Sequence, residues 1–98
     1  MDSLFSLEGK LALVTGGGSG LGASIATTLS NSGAKVALAA RRKEKLEETK
    51  KLIIEKGGKA ETYNLDVSDE GNIQSCLKSI KEDLGEIDIL INNAGTTT

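Results

Sequence analysis

The sequence has no histidine, no proline and no tryptophan, a single cysteine, Cys76, and only two aromatic residues, Phe5 and Tyr63. Each shortage excludes something. Without histidine, a zinc site would rest on one cysteine and carboxylates, a poor donor set, so no metal is expected. One cysteine rules out an internal disulfide framework, and a reducing, cytoplasmic setting is the simplest expectation. So few aromatics leave the core to aliphatic side chains. No apolar run nears the roughly 20 residues that a membrane-spanning helix needs. The opening MDSLFSLEGK lacks the basic start and apolar stretch of a signal peptide. A net charge of −2, with acids and bases mixed, gives no footprint for nucleic acid or for an anionic membrane.

What remains is enough for one small domain, 98 residues long. KLALVT (Lys10 to Thr15) is apolar, partly β-branched and ends at glycine, which predicts a buried strand. From Gly20 to Ser32, Leu21, Ile25 and Leu29 recur every four residues and predict a helix face, with Gly33 as its C-cap. AKVALAA (Ala34 to Ala40) reads as a second buried strand. RRKEKLEETKKLIIEK reads as a helix with one buried stripe drawn from Leu46, Leu52, Ile53 and Ile54, closed by Gly57 and Gly58. Its lysines and glutamates, three and four apart, form a solvated face. AETYNLDV (Ala60 to Val67) alternates at Tyr63, Leu65 and Val67 as a third strand. Ser68 is the expected N-cap of a third helix, with Asp69 and Glu70 in the first turn. Its face is Ile73, Cys76, Leu77, Ile80 and Leu84, closed by Gly85, so Cys76 reads as a small core residue. IDILIN (Ile87 to Asn92) is the fourth strand.

The order β-α-β-α-β-α-β defines an α/β fold and calls for a parallel sheet with right-handed crossovers. No linker or low-complexity run divides it.

Glycine is the residue in concentrated supply. TGGGSGLG, Thr15 to Gly22, holds five glycines between the first strand and the first helix. Glycine is entropically costly unless nothing else fits. A helix N-terminus offers unpaired N–H groups and a positive dipole end, and glycines let a phosphate approach both. Several registers compete. Gly17 to Ser24 nearly fits a P-loop, but Ala23 stands where its lysine belongs. Gly18-x-Gly20-x-x-Ala23 fits the general dinucleotide pattern. Thr15-Gly16-x-x-x-Gly20-x-Gly22 fits better, because Gly16 then follows the strand directly.

That last register resembles the TGxxxGxG of the short-chain dehydrogenase/reductase family. NNAG at Asn92 to Gly95 and LDV at Leu65 to Val67 are similar to two further motifs of that family, in the expected order. The resemblance covers essentially the whole chain. It implies a Rossmann-type sheet in strand order 3-2-1-4, incomplete relative to the family, with the first two helices on one face and the third on the other. It implies that Gly16, Ser19, Gly20, Leu21 and Gly22 bind the pyrophosphate side of a nicotinamide dinucleotide. Asp66 would accept a hydrogen bond from the adenine amino group, with Val67 beside it. Asn93, Ala94 and Gly95 would lie along the adenine-side ribose and the cleft floor, while Asn92 holds neighbouring strands.

Sites of this type that select NAD carry an acid at the end of the second strand, about 20 residues past the glycines. Here that point reads Ala39, Ala40, Arg41, Arg42, and the next carboxylate is Glu44. Arginine there suits a 2′-phosphate through its forked donors, so Arg41 and Arg42 favour NADP, with NAD as the alternative. The family's catalytic tyrosine and lysine have no counterpart, because Tyr63 is followed four residues later by Val67. Residues 1–98 are therefore expected to be the N-terminal part of a single NAD(P)-binding domain, inactive alone. The full-length form is expected to be a homo-oligomeric oxidoreductase acting on a small alcohol or carbonyl. A non-catalytic nucleotide-binding or interaction module is the other reading. Only one helix serves the second face of the sheet, so apolar residues of the first two strands are expected to stay partly uncovered.

Overall fold

A computed structural model describes residues 6–16 and 20–93. The elements are β1 (Leu11–Thr15), α1 (Gly20–Asn31), β2 (Lys35–Ala40), α2 (Lys43–Glu55), β3 (Lys59–Asn64), α3 (Glu70–Asp83) and β4 (Ile89–Asn92). The four strands form one sheet in the order β3-β2-β1-β4, and every pairing is parallel. Thr15 stands beside Ala39 of β2 and Asn92 of β4, and Ala40 beside Asn64 of β3. The register therefore brings the C-terminal ends of all four strands to one edge.

Side chains of successive strand residues point to opposite faces, so each central strand feeds two cores. Leu11, Leu13, Ala37, Ala39, Tyr63 and Leu65 pack against Cys76 and Ile80 of α3. Val14, Val36, Leu38 and Ala60 pack on the other face with Ala26 of α1 and with Leu46 and Ile53 of α2. This is the expected distribution of two helices and one. β1 and β2 are buried on both faces, contrary to the expectation that one helix would leave them partly uncovered. The cluster under α3 accounts for it: Leu11 and Leu13 of β1 and Ala37 and Ala39 of β2 pack together with Cys76 and Ile80. The uncovered strand is instead β4, which contributes nothing to the core under α3, and its Leu90 is 61% exposed.

The helices bury only part of the stripes the periodicity suggests: Leu46 and Ile53 of α2 and Cys76 and Ile80 of α3 are buried as expected, and Leu29, Ile73 and Leu84 pack against the cores. In α1 the sheet is met by Gly22 and Ala26, while Leu21 is 62% exposed. A helix seated tightly on a sheet turns its smallest residues inward, and the larger ones flank the contact. In α2 the buried stripe is Leu46, Thr49 and Ile53, and Leu52 and Ile54 are exposed. Leu77 of α3 is likewise exposed beside buried Cys76 and Ile80.

Three boundaries also differ. β3 stops at Asn64, three residues short of the expected Val67, because the chain turns at Asp66. The N-cap of α3 is Asp69 and not Ser68: Asp69 Oδ1 accepts from the Asn72 amide at 3.2 Å, whereas the Ser68 hydroxyl is engaged by Asp66. β4 begins at Ile89, but Asp88 extends its pairing. The Asp88 amide donates to Leu11 O at 2.8 Å, and its carboxylate accepts from the Leu11 amide at 2.9 Å.

Candidate functional site

At the C-terminal edge the sheet changes direction: from β1 the chain runs to β2 and β3 on one side, and β4 lies on the other. Open parallel sheets bind ligands in the crevice at such a switch point. Gly16 closes β1 with φ +71°, a left-handed conformation that L side chains rarely adopt. Its amide donates to Ala39 O of β2 at 2.7 Å. Thr15 fastens the other side. Its hydroxyl donates to Asn92 Oδ1 at 3.0 Å and accepts from the Asn93 amide at 2.9 Å. Asn93 Nδ2 donates to Gly16 O at 3.3 Å. The β1 turn is thus tied to both neighbouring strands before the chain enters α1.

The start of α1 suits an anion. It carries no acid in its first turn, unlike α2 with Glu44 and α3 with Glu70, so its dipole is not offset there. A Cβ built on Gly20 would meet nothing within 4 Å among the described residues. The exposed Leu21 and buried Gly22 follow it on the first turn. Ser19, Ala94 and Gly95, also expected at the site, lie outside the described residues.

Across the edge, Asp66 and Val67 form the turn after β3. Asp66 Oδ1 accepts from the Ser68 hydroxyl at 2.7 Å and from the Ser68 amide at 3.0 Å. These two bonds, with a smaller contribution from the Arg41 guanidinium, hold the Asp66 carboxyl below the usual aspartate range. It is an ionised acceptor at neutral pH. Val67 is exposed next to it. Arg41 and Arg42 follow β2, both exposed, and Arg42 occupies the N-cap of α2 without using its side chain as a cap. The expected residues that are described therefore share one edge. Tyr63 does not join them. Its hydroxyl donates to Asp83 Oδ2 at 3.0 Å in the last turn of α3, the end of that helix remote from Asp66.

Two features escape a reading of motifs. One is the Thr15 hydroxyl as the bolt between β1 and β4. The other is an asparagine pair, Asn64 and Asn72, behind Asp66. Asparagine is a poor strand and helix former, and its presence at a strand end and in a first helical turn was the available signal.

The family profile described as short chain dehydrogenase matches residues 10–98. The chain belongs to the short-chain dehydrogenase family. It is 48% identical over 91 residues to a Caenorhabditis elegans protein named "Probable 2,4-dienoyl-CoA reductase 3", a match covering 91% of this chain and 29% of that protein. Among solved structures, a metagenomic short-chain oxidoreductase in complex with NADP superposes with a TM-score of 0.88 at 39% identity, over 97% of this chain and 42% of the other. A Haemophilus influenza chain with bound NAD superposes with a TM-score of 0.91 at 35% identity, over 98% of this chain and 34% of the other. The chain thus spans less than half the length of these short-chain dehydrogenase relatives, and both nicotinamide dinucleotides occur among them.

Proposed function

We propose that residues 1–98 form the N-terminal, cofactor-binding part of a single Rossmann domain in an oxidoreductase that acts on an alcohol or carbonyl, with NADP preferred over NAD. The observation that carries the preference is the end of β2. Ala40 and Arg41 stand there, and no carboxylate follows until Glu44 within α2. A carboxylate at that point would accept from a ribose 2′-hydroxyl and repel a 2′-phosphate. Arginine favours the phosphate through paired donors.

When bound, the dinucleotide supplies or accepts the hydride. The chain's own residues hold it. Gly16, Gly20, Leu21 and Gly22, with Ser19, form the pyrophosphate seat at the start of α1. Arg41 and Arg42 take the 2′-phosphate. Asp66 accepts from the adenine amino group through the carboxylate oxygen that Ser68 does not engage, and Val67 packs against the ring. Asn93, Ala94 and Gly95 line the adenine-side ribose and the cleft floor. We assign the whole protein a small-molecule alcohol or carbonyl as substrate and a homo-oligomeric, cytoplasmic form.

Arg41→Ala is the test. Titration by nicotinamide fluorescence should show NADPH binding weakened by about 1.5–3 kcal/mol, the range for a charged hydrogen bond, with NADH little changed. Equal losses for both would falsify the assignment and leave Arg41 a surface residue.

A further inference from the structure

Behind the nucleotide-facing edge, four residues from three segments are joined by side-chain amides. The Asp66 amide donates to Asn72 Oδ1. Asn72 Nδ2 donates to Asn64 Oδ1 at 3.4 Å, and Asn64 Nδ2 donates to Arg41 O at 2.8 Å. Each asparagine accepts through its oxygen and donates through its nitrogen, so the bonds run in one direction from the β3–α3 turn to the end of β2. Asn72 is itself held, because its amide donates to Asp69 Oδ1 at the α3 N-cap. Backbone pairing between β2 and β3 finishes with the Leu65 amide on Ala40 O at 2.8 Å. Beyond that bond the asparagines continue the connection, reaching Arg41 and Asp66 where the ladder no longer does.

We propose that Asn64 and Asn72 are positioning residues for nucleotide binding: they clasp the Arg41 turn to the Asp66 turn, and so set the preference for a 2′-phosphate without touching the nucleotide. The inference rests on the reading of Arg41 as the phosphate ligand and of Asp66 as the adenine ligand. Arg41 has an exposed side chain, and its backbone carbonyl is the point at which Asn64 holds the turn. A forked donor is selective only if its origin is held.

The test uses two probes of the adenosine half, adenosine 2′,5′-bisphosphate and 5′-AMP, titrated by calorimetry against the parent protein, Asn64→Leu and Asn72→Asp. Asn64→Leu keeps approximate size and removes both bonds. Asn72→Asp keeps an acceptor for the Asp66 amide and removes the donor to Asn64. Both variants should weaken the bisphosphate by about three- to tenfold, the range of one neutral hydrogen bond, and 5′-AMP, which lacks the 2′-phosphate but still meets the Asp66 turn, by less. In Asn64→Leu, amide exchange at Asp66 should also accelerate, although that substitution removes no bond made by Asp66 itself. Unchanged binding and exchange, or equal losses for both probes, overturn the clasp. A parent that binds the two probes equally overturns the NADP reading alone; the clasp is then decided by the exchange result, standing if Asp66 accelerates and failing if it does not.

Discussion

Asp66 shows what a single residue contributes when its ionisation is tied to its fold. Its carboxyl lies below the ordinary aspartate value because Ser68 donates to it twice, with Arg41 assisting. A depressed folded value stabilises the turn above the unfolded aspartate pKa, and that contribution is lost as pH falls through the folded value. Nucleotide affinity should follow the same window, holding at neutral pH and failing only in acid below the ordinary aspartate range. Replacing Ser68 by alanine should move the Asp66 titration, read from its carboxyl NMR resonance, up toward the ordinary value. A midpoint unmoved by Ser68→Ala would sink the account. Tyr63 is the opposite case. Burial, then the hydrogen bond to Asp83, pushes its hydroxyl well above the ordinary tyrosine value. A general acid is most useful with a pKa near the operating pH, and this phenol is shifted the wrong way and held at the far end of α3. Residues 1–98 assayed alone should therefore turn over no alcohol or ketone. Steady NADPH oxidation with a carbonyl panel, by material free of other enzymes, would refute that.

At the scale of elements, packing is most demanding where α1, α2 and β3 converge. A Cβ on Gly58 would lie 2.1 Å from Ser30 Oγ and 2.8 Å from Ile53 Cγ2, with the Ile53 carbonyl at 3.2 Å. Ser30 can rotate away, but Ile53 is fully buried and cannot. Gly58→Ala should thus destabilise the fold by about 1–3 kcal/mol through overpacking, measured as a lower urea midpoint with unchanged slope. A neutral result would mean that the α2–β3 turn relaxes freely. This position also marks where sequence patterns stop informing. Gly57 and Gly58 were legible as a helix stop, because a stop depends on local conformation. The partner that forbids a side chain at Gly58 lies on α1, and no local pattern records it. The same division runs through the site. Alternating strands and helices, the strand order and the glycine turn were legible, since periodicity and motif spacing encode them. The buried stripes were legible only in part: Leu46 and Ile53 of α2 were, whereas Gly22 and Ala26 of α1 and Thr49 of α2 were not. There, large apolar residues advertise one face, while close seating on the sheet selects Gly22 and Ala26, or a polar Thr49, for another. The contacts of the asparagines behind Asp66 were not legible for a related reason: the residue type marks the turn, but the partners are set by how β2 ends beside β3.

For the molecule as a whole, the consequential feature is the open side of β4. Its inner edge pairs with β1, and among the described residues nothing pairs with its outer edge. On the α3 face Leu90 stands 61% exposed, with Leu77 of α3 also exposed. A parallel-sheet strand is ordinarily covered on both faces, and an apolar open edge is a template for pairing with another chain. The charges that could guard it lie elsewhere: β4 itself reads Ile-Leu-Ile-Asn and carries none. Residues 1–98 expressed alone should therefore self-associate, with the β4 edge as the point of contact. Covering the exposed part of Leu90 would contribute about 1–2 kcal/mol per copy, enough to bias association but not to define one closed dimer. Leu90→Lys places a charge on that face without disturbing either core, since Leu90 belongs to neither. Sedimentation should show the parent chain as a concentration-dependent mixture and the lysine variant shifted toward monomer. Amide exchange should find Ile89 to Ile91 weakly protected in the variant and better protected in the associated parent. A monodisperse parent monomer, with slow exchange across Ile89 to Ile91, would show that the strand is stable as an uncovered edge and that burial of β1 and β2 alone holds the fold.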